Sequence, residues 1–398
     1  MSQSILGIEK EEETSFRSLV PEIPSTTYIT HGMHSYPAKF IPQVVRWFID
    51  NYTKPEDWII DPFAGSGTVG VEAFVTRRNA ACIDLNPIIE PLMNAKTYIK
   101  DEEIPVLDFD YSSVFEPQWS RIDYWYPNQI LEILKTMWGF YYDYPHPLML
   151  IALFSISRKF SYADDKIPKI FRSKRKIEWI NEIVRKDYAK EIKRYYLKTI
   201  TKYSNGCKGL VNQCDVFGKV EAFGDIDLLK FNPKRNYDYL LTSPPYGQAH
   251  EYIRSFKLEL AWIGLKDSEI TSLINKEIPY NRHVPDIDIM SETFERYRKK
   301  TEKKHTTLYD TYFKSILYIL ENLAKNINHK MGIFVGNATF GGVSPPFDKI
   351  FSEHLESCGL IHERTLIDRI KVRNLFRNRK NISPNGIEKE YLIIMKAK

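Results

Sequence analysis

The sequence predicts an α/β protein built on a mostly parallel, doubly wound sheet, with a C-terminal antiparallel strand and a largely helical insertion. Three observations carry this prediction. The run "DWIIDPFAGSGTVGVEAFVTRRNAACIDLNP" reads as a strand ending near Asp61, a glycine-rich turn, a helix from Thr68 to Arg77 and a second strand ending at Asp84. Further strands follow in "VEAFGDIDLL", in "YDYLLTSPP" and, after the helical "YFKSILYILENLAKNI", in "MGIFVGN". The chain then closes with "RTLIDRIKV" and "KEYLIIMKAK", two strands joined by a loop. Strands that alternate with helices require a parallel sheet covered on both faces.

The remaining elements fall around this frame. Residues 1–27 are polar and acidic without periodicity, and are expected to form a loosely ordered lead-in. Residues 28–117 and 211–398 form the wound domain, which opens with "HGMHSYPAKFIPQVVRWFIDNY", a rigid Tyr-Pro turn followed by a helix. Residues 118–210 form an aromatic-rich, mostly helical, basic insertion, and residues 266–306 form a second, polar insertion within the wound domain. Both insertions are expected to bind a partner rather than to support the sheet.

Composition narrows the classes further. At 398 residues and 43% hydrophobic, the chain can bury a substantial core. Its longest apolar stretches, such as "PLMLIALFSI", are too short to span a bilayer, and "MSQSILGIEKEEETSF" lacks the apolar centre of a signal peptide. A cytoplasmic protein with no membrane partner is therefore expected. Cys82, Cys207, Cys214 and Cys358 form no CxxC pair, so reduced thiols and no structural metal are expected. The net charge of +5 is concentrated, because residues 158–202 hold 15 Lys or Arg against 6 Asp or Glu. Such a block is either a solvated helical face or a surface for a polyanion.

Two short stretches carry chemistry. In "DPFAGSGTVG", Gly65 and Gly67 lie between a strand end and a helix start, where missing side chains let a ligand approach the backbone. No lysine precedes Thr68, so this is not the phosphate loop of an ATPase, and the spacing also departs from the dinucleotide GxGxxG. Asp84 ends the next strand, where a carboxylate can accept hydrogen bonds from both hydroxyls of a ribose. Asp225, at another strand end, is placed to face an adenine amino group. In "TSPPYG", the double proline cannot continue a sheet and must leave the strand as a stiff, extended exit.

Together, "HSYPAKF", "DPFAGSGT" and "TSPPY" resemble the S-adenosylmethionine-dependent DNA methyltransferases that modify exocyclic amino groups. The Ser-Pro-Pro-Tyr form looks most like the N4-cytosine enzymes, since the adenine-N6 group more often carries Asp or Asn at the place of Ser243. The resemblance implies a Rossmann-like methyltransferase fold and S-adenosyl-L-methionine as cofactor. It covers the scaffold from His31 to Phe74, the Asp84 strand, Asp225, residues 242–264 and, more faintly, the last strands, but neither insertion.

By that resemblance, Tyr36, Lys39 and Phe40 enclose the methionine end of the cofactor. Phe63, Gly65 and Thr68 line its amino acid part, Asp84 takes the ribose and Asp225 the adenine, and Asp61, Pro62, Gly67 and Asn86 complete the cofactor-binding set. Ser243, Pro244, Pro245 and Tyr246 form the catalytic loop. His31 and His34 are expected to cap a helix or lie on the surface.

The chemistry of the loop agrees. The lone pair of the cytosine amine is delocalised into the ring, so the enzyme must localise it. Ser243 Oγ and the Pro244 carbonyl can accept the two N–H hydrogens and bend the nitrogen toward tetrahedral geometry. Tyr246 offers a face to a base that has left the helical stack. Carbon-5 methylation needs a cysteine nucleophile after a proline, whereas the four cysteines follow Ala81, Gly206, Gln213 and Ser357.

The partners follow from the same reading: double-stranded DNA, and a cognate restriction endonuclease for which the protein supplies protection. Arg172, Lys174, Arg175 and Lys176 of "RSKRK" are expected to meet phosphates, whereas Arg369, Arg373, Arg377 and Arg379 near the C-terminus read equally as phosphate contacts or as solvated surface. Adenine-N6 methylation, RNA guanine-N2 methylation and a non-catalytic nucleic-acid-binding role stay open as alternatives.

Overall fold

A computed structural model describes residues 10–37, 40–165, 169–247, 251–281, 283–370 and 388–398. Eight strands form one sheet: β1 (Glu11–Glu13), β2 (Trp58–Asp61), β3 (Asn79–Ile83), β4 (Val220–Phe223), β5 (Tyr237–Thr242), β6 (Ile327–Gly336), β7 (Ile361–Arg369) and β8 (Lys389–Lys396). Their order is β1-β7-β8-β6-β5-β2-β3-β4. Every neighbouring pair is parallel except those of β8, which runs antiparallel to β6 and β7. The doubly wound, mostly parallel sheet with one antiparallel strand near the C-terminus is the predicted fold.

Successive residues of a strand point to opposite faces, and β2 shows what this does to the core. Ile59 packs with Val44, Phe48, Val69 and Ala73 from helices Pro42–Tyr52 and Thr68–Val75. Its neighbour Ile60 faces the other side, with Phe313, Leu317 and Phe351 from helices Lys303–Ala324 and Phe347–Ser357. Both faces of the central strands are therefore sealed, as a parallel sheet requires.

The lead-in is not loosely ordered over its described part. Glu11–Glu13 pairs with Thr365–Ile367 as an edge strand, and Phe16 is fully buried against Phe334 at 5.5 Å between ring centroids. Three glutamates in a row hide a strand from any hydrophobic pattern, and exposed charge suits an edge.

The insertion is helical as expected, with helices Asn128–Asp143, Pro147–Lys159, Lys174–Arg185 and Tyr188–Val211. It does not stand apart from the wound domain. Its apolar residues share one core with Leu92 and Ala95 of helix Ile89–Lys96 and with Leu258 and Trp262 of helix Lys257–Trp262. Trp138 and Trp262 stack at 5.5 Å across this seam. Among the described residues, no helix is long and apolar enough to cross a membrane.

Candidate functional site

The carboxyl ends of β2, β3 and β5 open on one cleft, the place where an open α/β sheet binds its ligand. Gly65 and Gly67 adopt φ of +50° and +73°, left-handed conformations that glycine takes without steric cost. A Cβ on Gly67 would lie 2.0 Å from Met93 Sδ, and one on Gly65 would press 3.0 Å from the Tyr36 ring. The loop can therefore turn tightly into helix Thr68–Val75 only because both side chains are missing. Lys96 Nζ, fully buried under the loop, donates to the Ser66 carbonyl at 2.6 Å.

Among the described residues, Asp84, Asp227 and Glu277 line this cleft and Asp61 braces it. Asp84 accepts the N–H of Gly65 on Oδ2 at 2.7 Å and that of Asn86 on Oδ1 at 2.8 Å, which fixes its orientation beside the loop. Burial raises its pKa to about 6. Asp61 accepts from Thr242 Oγ1 at 2.6 Å and from the Phe63 N–H at 3.2 Å, and burial raises it to about 7. Glu277 accepts the Ile253 N–H at 3.1 Å and is raised to about 7, again by burial first.

The cleft holds about 820 Å³ of free space, its open mouth included. Of the residues singled out in the sequence, Tyr36, Phe40, Phe63, Gly65, Asp84, Ser243 and Pro245 line it. Asp61 and Thr68 sit behind the wall: both are 2% exposed, and Thr68 Oγ1 donates to the Phe40 carbonyl at 3.4 Å. Asn86 is also 2% exposed, and its Oδ1 accepts the Ile88 N–H at 3.2 Å. Pro62 joins β2 to the loop, Pro244 is buried behind Ser243, and Lys39 lies outside the described residues.

Two placements differ from expectation. Asp225 has φ of +53°, is exposed and does not line the cleft, although its Oδ1 lies 3.4 Å from Nζ of the cleft residue Lys276; Asp227, two residues on, lines it. Tyr246 is 5% exposed and does not line the cleft, whereas Tyr252 does, stacked on Tyr36 at 6.0 Å and 25°. Glu277 and Ile278 also line it, so the second insertion contributes a wall. The isolated carboxylate in "KEIPY" was the available signal for Glu277.

His31 caps no helix and is not at the surface. It is fully buried, with Nε2 2.7 Å from Glu72 Oε1, while Arg46 and Tyr28 complete the pairing of that carboxylate. These bonds tie the segment before Tyr36 to the helix that follows the glycine loop. His34 is 9% exposed and packs on Phe256 at 5.5 Å.

The basic residues of "RSKRK" divide. Lys176 is fully buried, donating to the Lys159 carbonyl at 2.6 Å and Asp165 at 3.2 Å, so it cannot meet phosphate. Arg175 is exposed but paired with Asp165 and Asp164, and Arg172 lies 4.5 Å from the Tyr124 ring and 4.4 Å from the Tyr162 ring. Lys174 is exposed. Arg369 pairs with Glu13, and Arg373, Arg377 and Arg379 lie outside the described residues.

Glu321, His354 and Cys358 come together on the helical face away from the cleft. Because His354 Nδ1 accepts the Met290 N–H at 3.2 Å, the neutral ring carries its proton on Nε2, toward Glu321. A metal would need that lone pair.

The cleft residues fit S-adenosylmethionine. Phe63, Ile226 and Leu228 form an apolar slot for a planar base, Asp84 keeps lone pairs for a diol, and the glycine loop offers its backbone to a polar tail.

A doubly wound sheet with a glycine-loop cleft across its strand ends defines an α/β protein whose cleft lies where open sheets of this kind bind nucleotide-type ligands. Residues 6–94 match the N6/N4 DNA methylase family. The chain is 25% identical over 306 residues to the Type II methyltransferase M.BsoBI of Geobacillus stearothermophilus, covering 69% of this chain and 60% of the relative. It is 27% identical over 286 residues to M.MvaI of Kocuria varians, covering 63% and 61%. A shorter stretch of 82 residues is 39% identical to M.MjaII of Methanocaldococcus jannaschii, covering 21% of this chain and 15% of that one. The chain thus spans about three fifths of the length of the first two relatives. In sequence the chain is thus similar to DNA methyltransferases.

Proposed function

We propose that the protein transfers a methyl group from S-adenosylmethionine to the N4 amine of cytosine in double-stranded DNA, as the modifying half of a type II restriction–modification pair in the cytoplasm. The observation that carries this reading is that Ser243 and Asp84 line one cleft. A cofactor held by its ribose at Asp84 shares that space with the serine expected to orient the amine.

When bound, the cofactor supplies an electrophilic methyl group on a sulfonium. The chain's own residues do the rest. Asp84, Phe63 and Asp227 position the nucleoside, and Tyr36 and Phe40 close over the other end. Ser243 Oγ and the Pro244 carbonyl accept the amine hydrogens, concentrating the nitrogen lone pair and stabilising the positive charge that develops there. Pro244 and Pro245 fix that carbonyl, so little reorganisation is needed. Tyr252 and Tyr36, stacked beside Ser243, offer the aromatic face to the extruded base. No covalent enzyme intermediate is required.

Nucleoside mass spectrometry after incubation with duplex DNA and methyl-labelled cofactor tests the reading. Labelled N4-methylcytosine is expected; N6-methyladenine as the sole product would replace cytosine by adenine as the target.

A further inference from the structure

A second cavity lies behind the first, at the seam between the insertion and the wound domain. It encloses about 830 Å³ of free space, its mouth included. The two cavities share a wall: Tyr36 lines one, Phe256 the other, and their rings meet at 4.8 Å. The second cavity contains neither Ser243 nor Asp84.

Its floor holds a carboxylate in an unusual state. Glu259 is 2% exposed, and Arg158 Nη1 reaches its Oε1 at 3.3 Å. Among the described residues, Oε2 has no hydrogen-bond partner. A buried acceptor left unsatisfied is destabilising, so this oxygen is poised for an incoming donor. Asp165 is shared by Lys159 at 3.2 Å, Lys176 and Arg175, and Arg158 pairs with Glu259, so each charged group on the lining already has an opposite partner. One wall is aromatic, with His34 over Phe256 at 5.5 Å and 31° and against Phe154 at 6.2 Å. Lys159 and Tyr195, on the basic insertion, also line the cavity.

We propose that this second cavity binds a guanine base, its ring against His34 and Phe256 and its Watson–Crick edge on Glu259. A neutral, planar heterocycle with N–H donors meets each feature of the site. Among the four bases, guanine alone presents two adjacent donors, N1–H and the N2 amino group, to a carboxylate. Burial raises the pKa of Glu259, and Arg158 on Oε1 opposes that rise. Cytosine and adenine would set a ring lone pair against it, and thymine two carbonyls. Guanine is also the partner left behind when a cytosine is extruded, so the cavity would hold the opposite strand open while the first cleft works. That placement on DNA rests on the methyltransferase reading; the binding itself does not.

The test titrates the full chain, with S-adenosylhomocysteine saturating the first cleft, and reads binding by calorimetry. Guanosine is expected to bind, with 1-methylguanosine and thymidine weaker by at least about tenfold, because a site built around a hydrogen bond rejects the analogue that lacks it. Glu259→Gln should weaken guanosine by a similar factor and leave S-adenosylhomocysteine affinity unchanged. If that variant does not fold, the nucleoside series alone decides. Equal affinity for guanosine and 1-methylguanosine, or no binding of either, overturns the proposal. The hexanucleotide d(TTGTTT) should likewise outbind its 1-methylguanine counterpart; discrimination confined to the free nucleosides would overturn the DNA placement. Neither arm depends on methyl transfer, so their failure is distinct from failure of the activity assay.

Discussion

Thr242 Oγ1 donates to Asp61 Oδ1 at 2.6 Å, a buried bond between residues 181 positions apart. It joins the last residue of β5, just before the Ser-Pro-Pro-Tyr loop, to the last residue of β2, just before the glycine loop. The two loops are thereby held in register at one sheet edge. Thr242→Val removes the donor at constant shape and leaves a buried carboxylate less satisfied. A stability loss of about 1–3 kcal/mol in denaturant unfolding is expected, with weaker cofactor binding; an unchanged midpoint would show that the bond does not couple the loops.

The same bond has a pH signature. Burial raises Asp61 from 3.8 to about 7, so the folded state keeps a proton that the unfolded chain releases near pH 4. The folded pKa is the higher one, so Asp61 costs no stability below about pH 4, and the cost grows as pH rises to about 7. Asp61→Asn cannot ionise. Relative to wild type, it should be more stable at pH 8 than at pH 5 by about 1–3 kcal/mol. A stability difference independent of pH would contradict the raised value.

Cofactor binding should follow Asp84, whose pKa burial raises to about 6. An ionised carboxylate accepts both diol hydrogens; a protonated one does not. Affinity for S-adenosylhomocysteine should be level above pH 6 and fall by up to about tenfold per unit below it. In Asp84→Asn, the affinity should be lower throughout and the pH dependence lost, as calorimetry would show.

Much of this site was legible because strand ends and glycines leave strong local marks. The approach of Met93 to Gly67 within 2.0 Å of a virtual Cβ is the kind of constraint that a Gly-Ser-Gly turn announces. Other residues depended on tertiary direction. Asp225 and Asp227 lie two residues apart, and only the folded chain shows that Asp227 lines the cleft while Asp225 is exposed. Tyr246 and Tyr252 both follow the double proline, and only the fold shows that the first ring is buried. The strand Glu11–Glu13 carries no hydrophobic pattern, so only its pairing with β7 reveals it.

The basic segment makes a related point, since charge in the sequence does not say which side chains meet solvent. Lys176 is buried against Asp165, and burial lowers its pKa to about 8, whereas Lys174 is exposed. Lys176→Met should reduce thermal stability. Lys174→Met should stay within about 0.5 kcal/mol of wild type while reducing the salt dependence of DNA binding by about one phosphate contact. Fluorescence anisotropy across a salt series separates the two, and identical behaviour would contradict the division.

The most direct measurement is single-turnover transfer of a labelled methyl group to duplex DNA by the wild type and by Ser243→Ala, with the product read by nucleoside mass spectrometry. N4-methylcytosine is expected from the wild type, formed about 100-fold more slowly by the variant at unchanged cofactor affinity, the usual cost of losing one preorganised polar group that acts in the transition state. Equal rates from the two proteins, or no methylated base from either, would contradict the account.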